Sequence, residues 1–192
     1  MFSFFNASEK QIFFGNALFV ACCGFYLAWW LLAFNPVAGI NAGRAGWLLI
    51  PAGISGIAAI AITLMGISAS VMARRLFPGG YILWGGVAAY IILLAVTVHL
   101  FNRPATTELI LIVGWCMLAL AEINALYGSG VFTGRAAACF ISLVCAAVVI
   151  SLVCYVLYYR LGSSAGYVDG MIPLLLTGLS MTGISGFMVF CK

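Results

Sequence analysis

Hydrophobic residues are gathered into six long stretches, separated by short segments that collect Gly, Pro, Asn, Ser or a charge. A helix of about 20 apolar residues crosses the roughly 30 Å hydrocarbon core of a bilayer, and such Gly- and Pro-containing segments are typical of loops. The pattern therefore predicts an all-α, multi-pass membrane protein in which residues 1–192 form a single domain. The six predicted transmembrane helices cover about 11–34, 46–72, 81–101, 108–127, 136–159 and 171–191.

Ionisable residues are scarce in this chain. Of 192 residues, eight are Lys or Arg, four are Asp or Glu and one is His, and the mean hydropathy is +1.22. Soluble domains carry charge on about a quarter of their residues. The sequence also lacks the alternating ten-residue segments from which transmembrane β-barrels are built. We therefore expect the lipid bilayer to surround most of the chain.

The positive charges give an orientation, because loops on the cytoplasmic side of a membrane carry an excess of Lys and Arg. Five positive residues share a side with the N-terminus and three lie opposite. This bias predicts a protein of the cell (inner or cytoplasmic) membrane with both termini in the cytoplasm. No basic run or stacking motif indicates a nucleic-acid partner. The two sets are Lys10, Arg74, Arg75, Arg135 and Lys192, against Arg44, Arg103 and Arg160.

The six predicted helices fall into three consecutive hairpins with similar layouts. In each, a helix ends in bulky residues, a turn carries one Arg, and the second helix is rich in Gly and small residues. Such likeness indicates an internal repeat of three two-helix units. Chance similarity between apolar segments is the alternative, and the pattern alone leaves both open.

The first two hairpins resemble the HdeD-type family of small bacterial inner-membrane proteins. The likeness lies in FNPVAGINAGRAGWLLIPAGISGIA and FNRPATTELILIVGWCMLALAEI, each with a turn proline followed by a second helix with spaced glycines or small residues. The third hairpin departs from it, since Pro173 lies inside the sixth predicted helix. The resemblance implies a six-helix fold of three hairpins and a role in acid or envelope stress. It implies no set of catalytic residues.

Small residues form a stripe along the second predicted helix, and close backbone approach at such stripes is how membrane helices associate. Packing within one chain would explain the stripe. A homo-oligomer or a partner membrane subunit docked through the small-residue faces is the alternative. The stripe consists of Gly53, Gly56, Ala59, Thr63 and Gly66.

Glu122 stands out as an acidic residue inside the fourth apolar stretch. At 1.5 Å per residue it lies about 7–8 Å from the inner end of the predicted helix. A carboxylate within the membrane costs about 2.5–3.5 kcal/mol on insertion scales and is expected to face the bundle interior. Asn16 is predicted at a similar depth, and Arg135 lies just across the next loop. Three more polar residues are predicted at that level or shallower: Asn124, Ser68 and Ser185.

Two interpretations of Glu122 stay open. In the structural one, it forms a hydrogen bond between helices or an ion pair with Arg135 near the headgroups. In the functional one, it is a proton- or cation-binding carboxylate on a transport path, with Asn16, Asn124 and Arg135 as the other candidate site residues.

A second candidate site is a charged cluster predicted at the outer face. Carboxylates at helix starts are favoured by the helix dipole, which explains Glu108 and Asp169 structurally. Functionally, the arginines would attract an anionic solute, and His99 would sense acid because histidine changes charge near neutral pH. The cluster consists of His99, Arg103, Glu108, Asp169, Arg160 and Arg44.

Catalytic motifs are absent from the sequence. It has one His and contains no HExxH, GxSxG, P-loop or CxxC arrangement. We predict a non-enzymatic protein with no catalytic residues, no cofactor and no metal site. Two functional classes remain: an HdeD-like membrane protein linked to stress, or a small transporter, channel or substrate-binding subunit for a small solute or ion.

Overall fold

The fold consists of long helices joined by short segments. The computed structural model describes residues 7–34, 45–69, 76–102, 106–161 and 171–190. Six helices in this described part are long and apolar enough to cross a membrane. The predicted all-α, multi-pass fold is therefore confirmed. The helices are α1 (Ala7–Phe34), α2 (Leu49–Ala69, preceded by a 3-10 turn at Gly46–Leu48), α3 (Gly79–Phe101), α4 (Thr106–Gly128), α5 (Gly134–Leu161) and α6 (Met171–Phe190).

Half of the twelve helix ends lie a few residues outside the predicted apolar stretches. α1 already begins at Ala7, and its first turn contains Ser8, Glu9 and Lys10. The helix thus extends past the apolar stretch into polar residues, which hydropathy does not mark as part of a span. Two helices are followed by a residue with a positive φ, which ends helical geometry. Asn102 adopts a left-handed conformation after α3, and Gly130, with φ of 78°, lies in the turn between α4 and α5.

Each helix packs against its partner in the predicted hairpins. α1 contacts α2, α3 contacts α4, and α5 contacts α6. α4 also packs against α1 and α5, and α1 packs against α6. The core therefore centres on α4 and α1, and α3 lies at the edge of the bundle with most of its surface exposed.

The core is apolar along most of α4. Trp115, Ile112 and Ile123 are fully buried there, and Phe19 of α1 and Met181 of α6 belong to the same cluster. Packing and interhelical polar contacts, rather than exclusion of water, hold such helices together in lipid.

The outward faces are also apolar. Ile57 on α2, and Trp84 and Ile92 on α3, expose more than half of their surface. Exposed apolar helix faces of this kind would be an aggregation hazard in water but are the normal surface of a helix in lipid. The exposed residues and the helix lengths together identify a membrane protein that contacts the bilayer.

The small-residue stripe of α2 faces α1 along most of its length. A Cβ placed on Gly66 would lie 2.9 Å from the Ser8 carbonyl oxygen, and one on Gly56 would lie 3.2 Å from Cys22 Sγ. Gly53, at the start of the stripe, has nothing within 4 Å of such a Cβ. Most of the stripe thus serves packing within the chain, where it brings the two helix backbones into close contact.

Candidate functional site

Glu122 lies on the buried face of α4. Trp115, Ala119, Glu122 and Leu126 follow one another at intervals of four, three and four residues, which places them on one side of a helix, and all four are buried. Glu122 itself is 1% exposed. The predicted inward orientation of this carboxyl is therefore what the structure has.

Asn16 of α1 meets this carboxyl directly. Its Nδ2 donates a hydrogen bond to Glu122 Oε2, and the Asn16 side chain is 1% exposed. The bond links the two most buried helices of the bundle and places the two residues at one level of it.

A third polar group approaches from α6. Ser185 is fully buried, and its side chain lies close enough to the Glu122 carboxyl to interact with it. The Ser185 hydroxyl also donates to the Thr182 carbonyl oxygen at 3.4 Å. The site, defined here as Asn16, Glu122 and Ser185, thus takes one side chain from each of α1, α4 and α6.

Two of the four polar side-chain atoms of the Asn16–Glu122 pair have no hydrogen-bond partner. Glu122 Oε1 and Asn16 Oδ1 are both buried and have no hydrogen-bond donor. A buried polar atom without a partner costs about 1–3 kcal/mol, so such atoms indicate a missing donor, water or ion. Both atoms here are acceptors that would be satisfied by a proton, a water molecule or a cation.

Further unsatisfied oxygens lie towards one end of the bundle, at which α1 begins and α2, α4 and α6 end. We call this the N-terminal end. Gln11 Oε1 and Thr63 Oγ1 are buried there without a partner. Thr63 packs against Gly15, next to Asn16, and Gln11 packs against Gly66, one turn closer to that end. Gln11 and Thr63 thus belong to the polar region around the site, although from the sequence Thr63 was assigned only to the small-residue stripe and Gln11 was not singled out.

The core on the other side of the site is largely apolar. Phe19 packs against Gly114, and Val20 and Trp115 both pack against Gly178. Two more buried polar atoms without partners, Trp115 Nε1 and Ser151 Oγ, lie in this part of the described chain. Both belong to neutral side chains. Glu122 is the one fully buried carboxyl among the described residues.

Asn124, a predicted member of the site, has a different role. Its Oδ1 accepts from the backbone N–H of Leu76 at 2.8 Å and of Phe77 at 3.3 Å, and its Nδ2 donates to the Phe77 carbonyl oxygen at 3.1 Å. Two residues along a helix turn the side chain by about 200°, which takes it away from Asn16. Asn124 therefore fastens the segment ahead of α3 to α4.

Arg135 is not brought to the carboxyl. It is exposed in the first turn of α5, whereas Glu122 is buried. In the part of the chain that the structure describes, Glu122 has no cationic partner. Lys10 on α1 has its Nζ 5.8 Å from the centre of the Phe190 ring. The carboxyl is thus surrounded by neutral groups.

The outer charged cluster is described only in part. His99 is exposed near the end of α3, and Glu108 Oε1 accepts a hydrogen bond from the Tyr26 hydroxyl at 3.2 Å. Arg44, Arg103 and Asp169 lie outside the described residues, as does the side chain of Arg160. Glu108 is therefore held by an aromatic residue of α1, at the end of the bundle opposite to Glu122.

Metal-ligating residues are dispersed. Within the described ranges, no three His, Cys, Asp or Glu side chains come together in a way that could hold a metal ion. The six described cysteines are unpaired. The chemistry of the buried site therefore comes from one carboxyl, one amide and neighbouring hydroxyls.

Comparison with protein-family models, with curated proteins and with solved structures gives no match. The function of this chain has therefore to be inferred from the geometry of the buried site itself.

Proposed function

We propose that this multi-pass membrane protein binds a proton or a small cation at Glu122, and that it works as a small transporter, channel or substrate-binding membrane subunit. The observation that carries the proposal is the buried pair of acceptors, Glu122 Oε1 and Asn16 Oδ1, neither of which has a hydrogen-bond partner. Ionisable residues inside membrane bundles commonly mark ion pathways and proton relays.

The cost of the carboxyl supports a functional role. A hydrogen bond between α1 and α4 could be made by a neutral amide at position 122, whereas a carboxyl there must either bear the insertion cost of about 2.5–3.5 kcal/mol of an ionised group or take up a proton. Bonds of this kind contribute only about 0.6 kcal/mol on average in a membrane protein. Stability alone therefore does not account for the choice of Glu.

The neighbouring polar groups support access from the N-terminal end. Gln11 and Thr63 provide buried oxygens that a water molecule would satisfy, between Glu122 and the start of α1. With the orientation that the charge bias favours, this end faces the cytoplasm. We propose on this basis that the protein lies in the cytoplasmic membrane and that the site exchanges its ligand with the inner side.

A second candidate is the non-enzymatic, HdeD-like role in acid or envelope stress. Direct packing within each of the three consecutive helix pairs supports it, because the resemblance implies a fold of three hairpins. The open side of Gly53 on α2 and of Gly183 on α6 would then be where a second copy or a partner subunit packs. In this role Glu122 and Asn16 would only join helices.

Proton flux in proteoliposomes distinguishes the two candidates. The purified protein is reconstituted, a pH gradient is imposed, and the decay of that gradient is followed with and without added Na⁺ or K⁺. The transport proposal predicts flux, or cation-dependent flux, above that of empty vesicles, and its loss in Glu122→Gln. Glu9→Gln is the matched control, because Glu9 lies in the first turn of α1, and it should retain the flux. Flux equal to that of empty vesicles under all conditions would contradict the transport class.

A further inference from the structure

We infer that the ligand of the buried site is a proton, carried by Glu122 as half of a cyclic acid–amide pair with Asn16. This inference rests on the proposed function and narrows it from a proton or small cation to a proton. It is based on the hydrogen-bonding groups of the two side chains and on the charges around them.

A primary amide and a neutral carboxylic acid are complementary. The amide offers one N–H donor and one carbonyl acceptor on the same side, and the protonated acid offers one carbonyl acceptor and one O–H donor. One half of such a pair is present, since Asn16 Nδ2 donates to Glu122 Oε2. The two atoms that remain are Glu122 Oε1 and Asn16 Oδ1, and both lack a partner.

A single proton completes the pair. Placed on Glu122 Oε1, it forms an O–H bond that donates to Asn16 Oδ1, while the existing bond from Asn16 Nδ2 is kept. Both unsatisfied acceptors are then used, and the carboxyl loses its charge. No additional residue is needed for this.

A metal cation fits the same groups less well. Hard cations such as Ca²⁺ and Mg²⁺ are held by about six or more oxygen ligands, and the described residues contain no cluster of ionisable ligands. The Asn16 amide group also turns its N–H towards Glu122 Oε2. A partial positive charge beside one carboxyl oxygen leaves that oxygen unsuited to coordinate a cation.

Charges on the surrounding helices do not favour an ionised carboxyl. The described parts of α2 and α6 contain no charged residue, and their nearest polar groups are the hydroxyls of Thr63 and Ser185. On α1 the nearest charges are Glu9 and Lys10, seven and six residues before Asn16. The neutral acid is therefore the form that this environment accommodates.

The other ionisable groups face elsewhere or lie at other depths. On α4, Cys116 and Tyr127 are six and five residues from Glu122, which puts them on other sides of the helix. The ionisable side chains described on α3 and α5 lie outside the site as defined above, and they are Tyr81, Tyr90, His99, Arg135, Cys139, Cys145, Cys154, Tyr155 and Tyr158.

Infrared difference spectroscopy of the full-length protein in liposomes tests the inference. The C=O stretch of a protonated carboxylic acid is separate from that of a carboxylate, and it reports protonation without any need for transport. We expect this band at neutral pH in the native protein, its loss in Glu122→Gln, and its retention in Glu9→Gln. Glu122→Gln is expected to fold, because glutamine can form the same cyclic pair with Asn16.

The Asn16→Leu variant and an exchange of K⁺ for Na⁺ complete the test. Asn16→Leu should shift the band, because the O–H loses its acceptor, and replacing K⁺ with Na⁺ should leave the band unchanged. A native protein without the band at neutral pH, a band that persists in Glu122→Gln, or a band removed by Na⁺ would overturn the inference. A normal band with no proton flux would instead overturn the proposed transport function and leave the proton pair standing.

Discussion

Asn124 of α4 and Phe77, in the segment ahead of α3, are joined twice through one side-chain amide. Nδ2 donates to the Phe77 carbonyl oxygen at 3.1 Å, and Oδ1 accepts from the Phe77 N–H at 3.3 Å. The same oxygen accepts from the Leu76 N–H at 2.8 Å. The amide thus acts as a clamp between a helix and the segment that leads into the peripheral helix α3.

Asn124→Ala should loosen this segment without disturbing the buried carboxyl. Loss of the three hydrogen bonds should lower stability by about 1–3 kcal/mol and raise hydrogen exchange at Leu76 and Phe77. Ser129→Ala is the control, since the Ser129 hydroxyl donates only to the nearby Leu126 carbonyl oxygen. Unchanged exchange at positions 76 and 77 in Asn124→Ala would show that the clamp does not hold the segment.

Gly66→Ala should destabilise the contact between α1 and α2. A Cβ there would lie 2.7 Å from Ile12 Cγ1 and 2.9 Å from the Ser8 carbonyl oxygen, so the helices must separate. Overpacking of this kind costs about 1–3 kcal/mol, which thermal unfolding in detergent would detect. The same change at Gly53, where a Cβ meets nothing within 4 Å, should be neutral or slightly stabilising, because alanine favours helix more than glycine does. Equal stability of the two variants would contradict the packing of α1 on α2.

Cysteine labelling should find water near Gln11 and none near Val20. Both residues lie on α1, but Gln11 Oε1 is a buried acceptor without a partner, whereas Val20 packs on Gly178. In a background without the seven native cysteines, Gln11→Cys should react with a membrane-impermeant thiol reagent added at the N-terminal end. Val20→Cys should not react from either side. An unreactive Gln11→Cys would mean that the site is closed to water at that end as well.

The fold was largely predictable, because in lipid the length of an apolar stretch dictates a helix. Glu122 and Asn16 were predictable for a related reason. A carboxyl and an amide in the hydrocarbon must turn towards the protein, and counting residues put both at one depth. The partnership itself needed the structure, because one sequence does not say which helices are neighbours.

The sequence was less informative about residues whose contacts depend on loops or on the packing of distant segments. Arg135 was a candidate partner for Glu122 on sequence proximity, but it starts α5 and is exposed. Asn124 was grouped with Glu122 by depth, but its side chain forms hydrogen bonds with residues 76 and 77. The packing of this segment against α4 is a tertiary contact, which one sequence does not reveal. Thr63 was assigned only to the small-residue stripe, and Gln11 was not singled out, because it lies at the very start of the first apolar stretch, where a polar residue is unremarkable.

The coupling between Asn16 and Glu122 tests the central claim most directly, and a double-mutant cycle measures it. The native protein, Asn16→Leu, Glu122→Leu and the double variant are unfolded under the same conditions. The account predicts a coupling free energy of about 1–2 kcal/mol, above the average of about 0.6 kcal/mol for such bonds in a membrane protein, because two hydrogen bonds join one pair. It also predicts that the double variant is more stable than Asn16→Leu, since removing both partners avoids a buried carboxyl without a donor. A coupling free energy of zero would contradict the account.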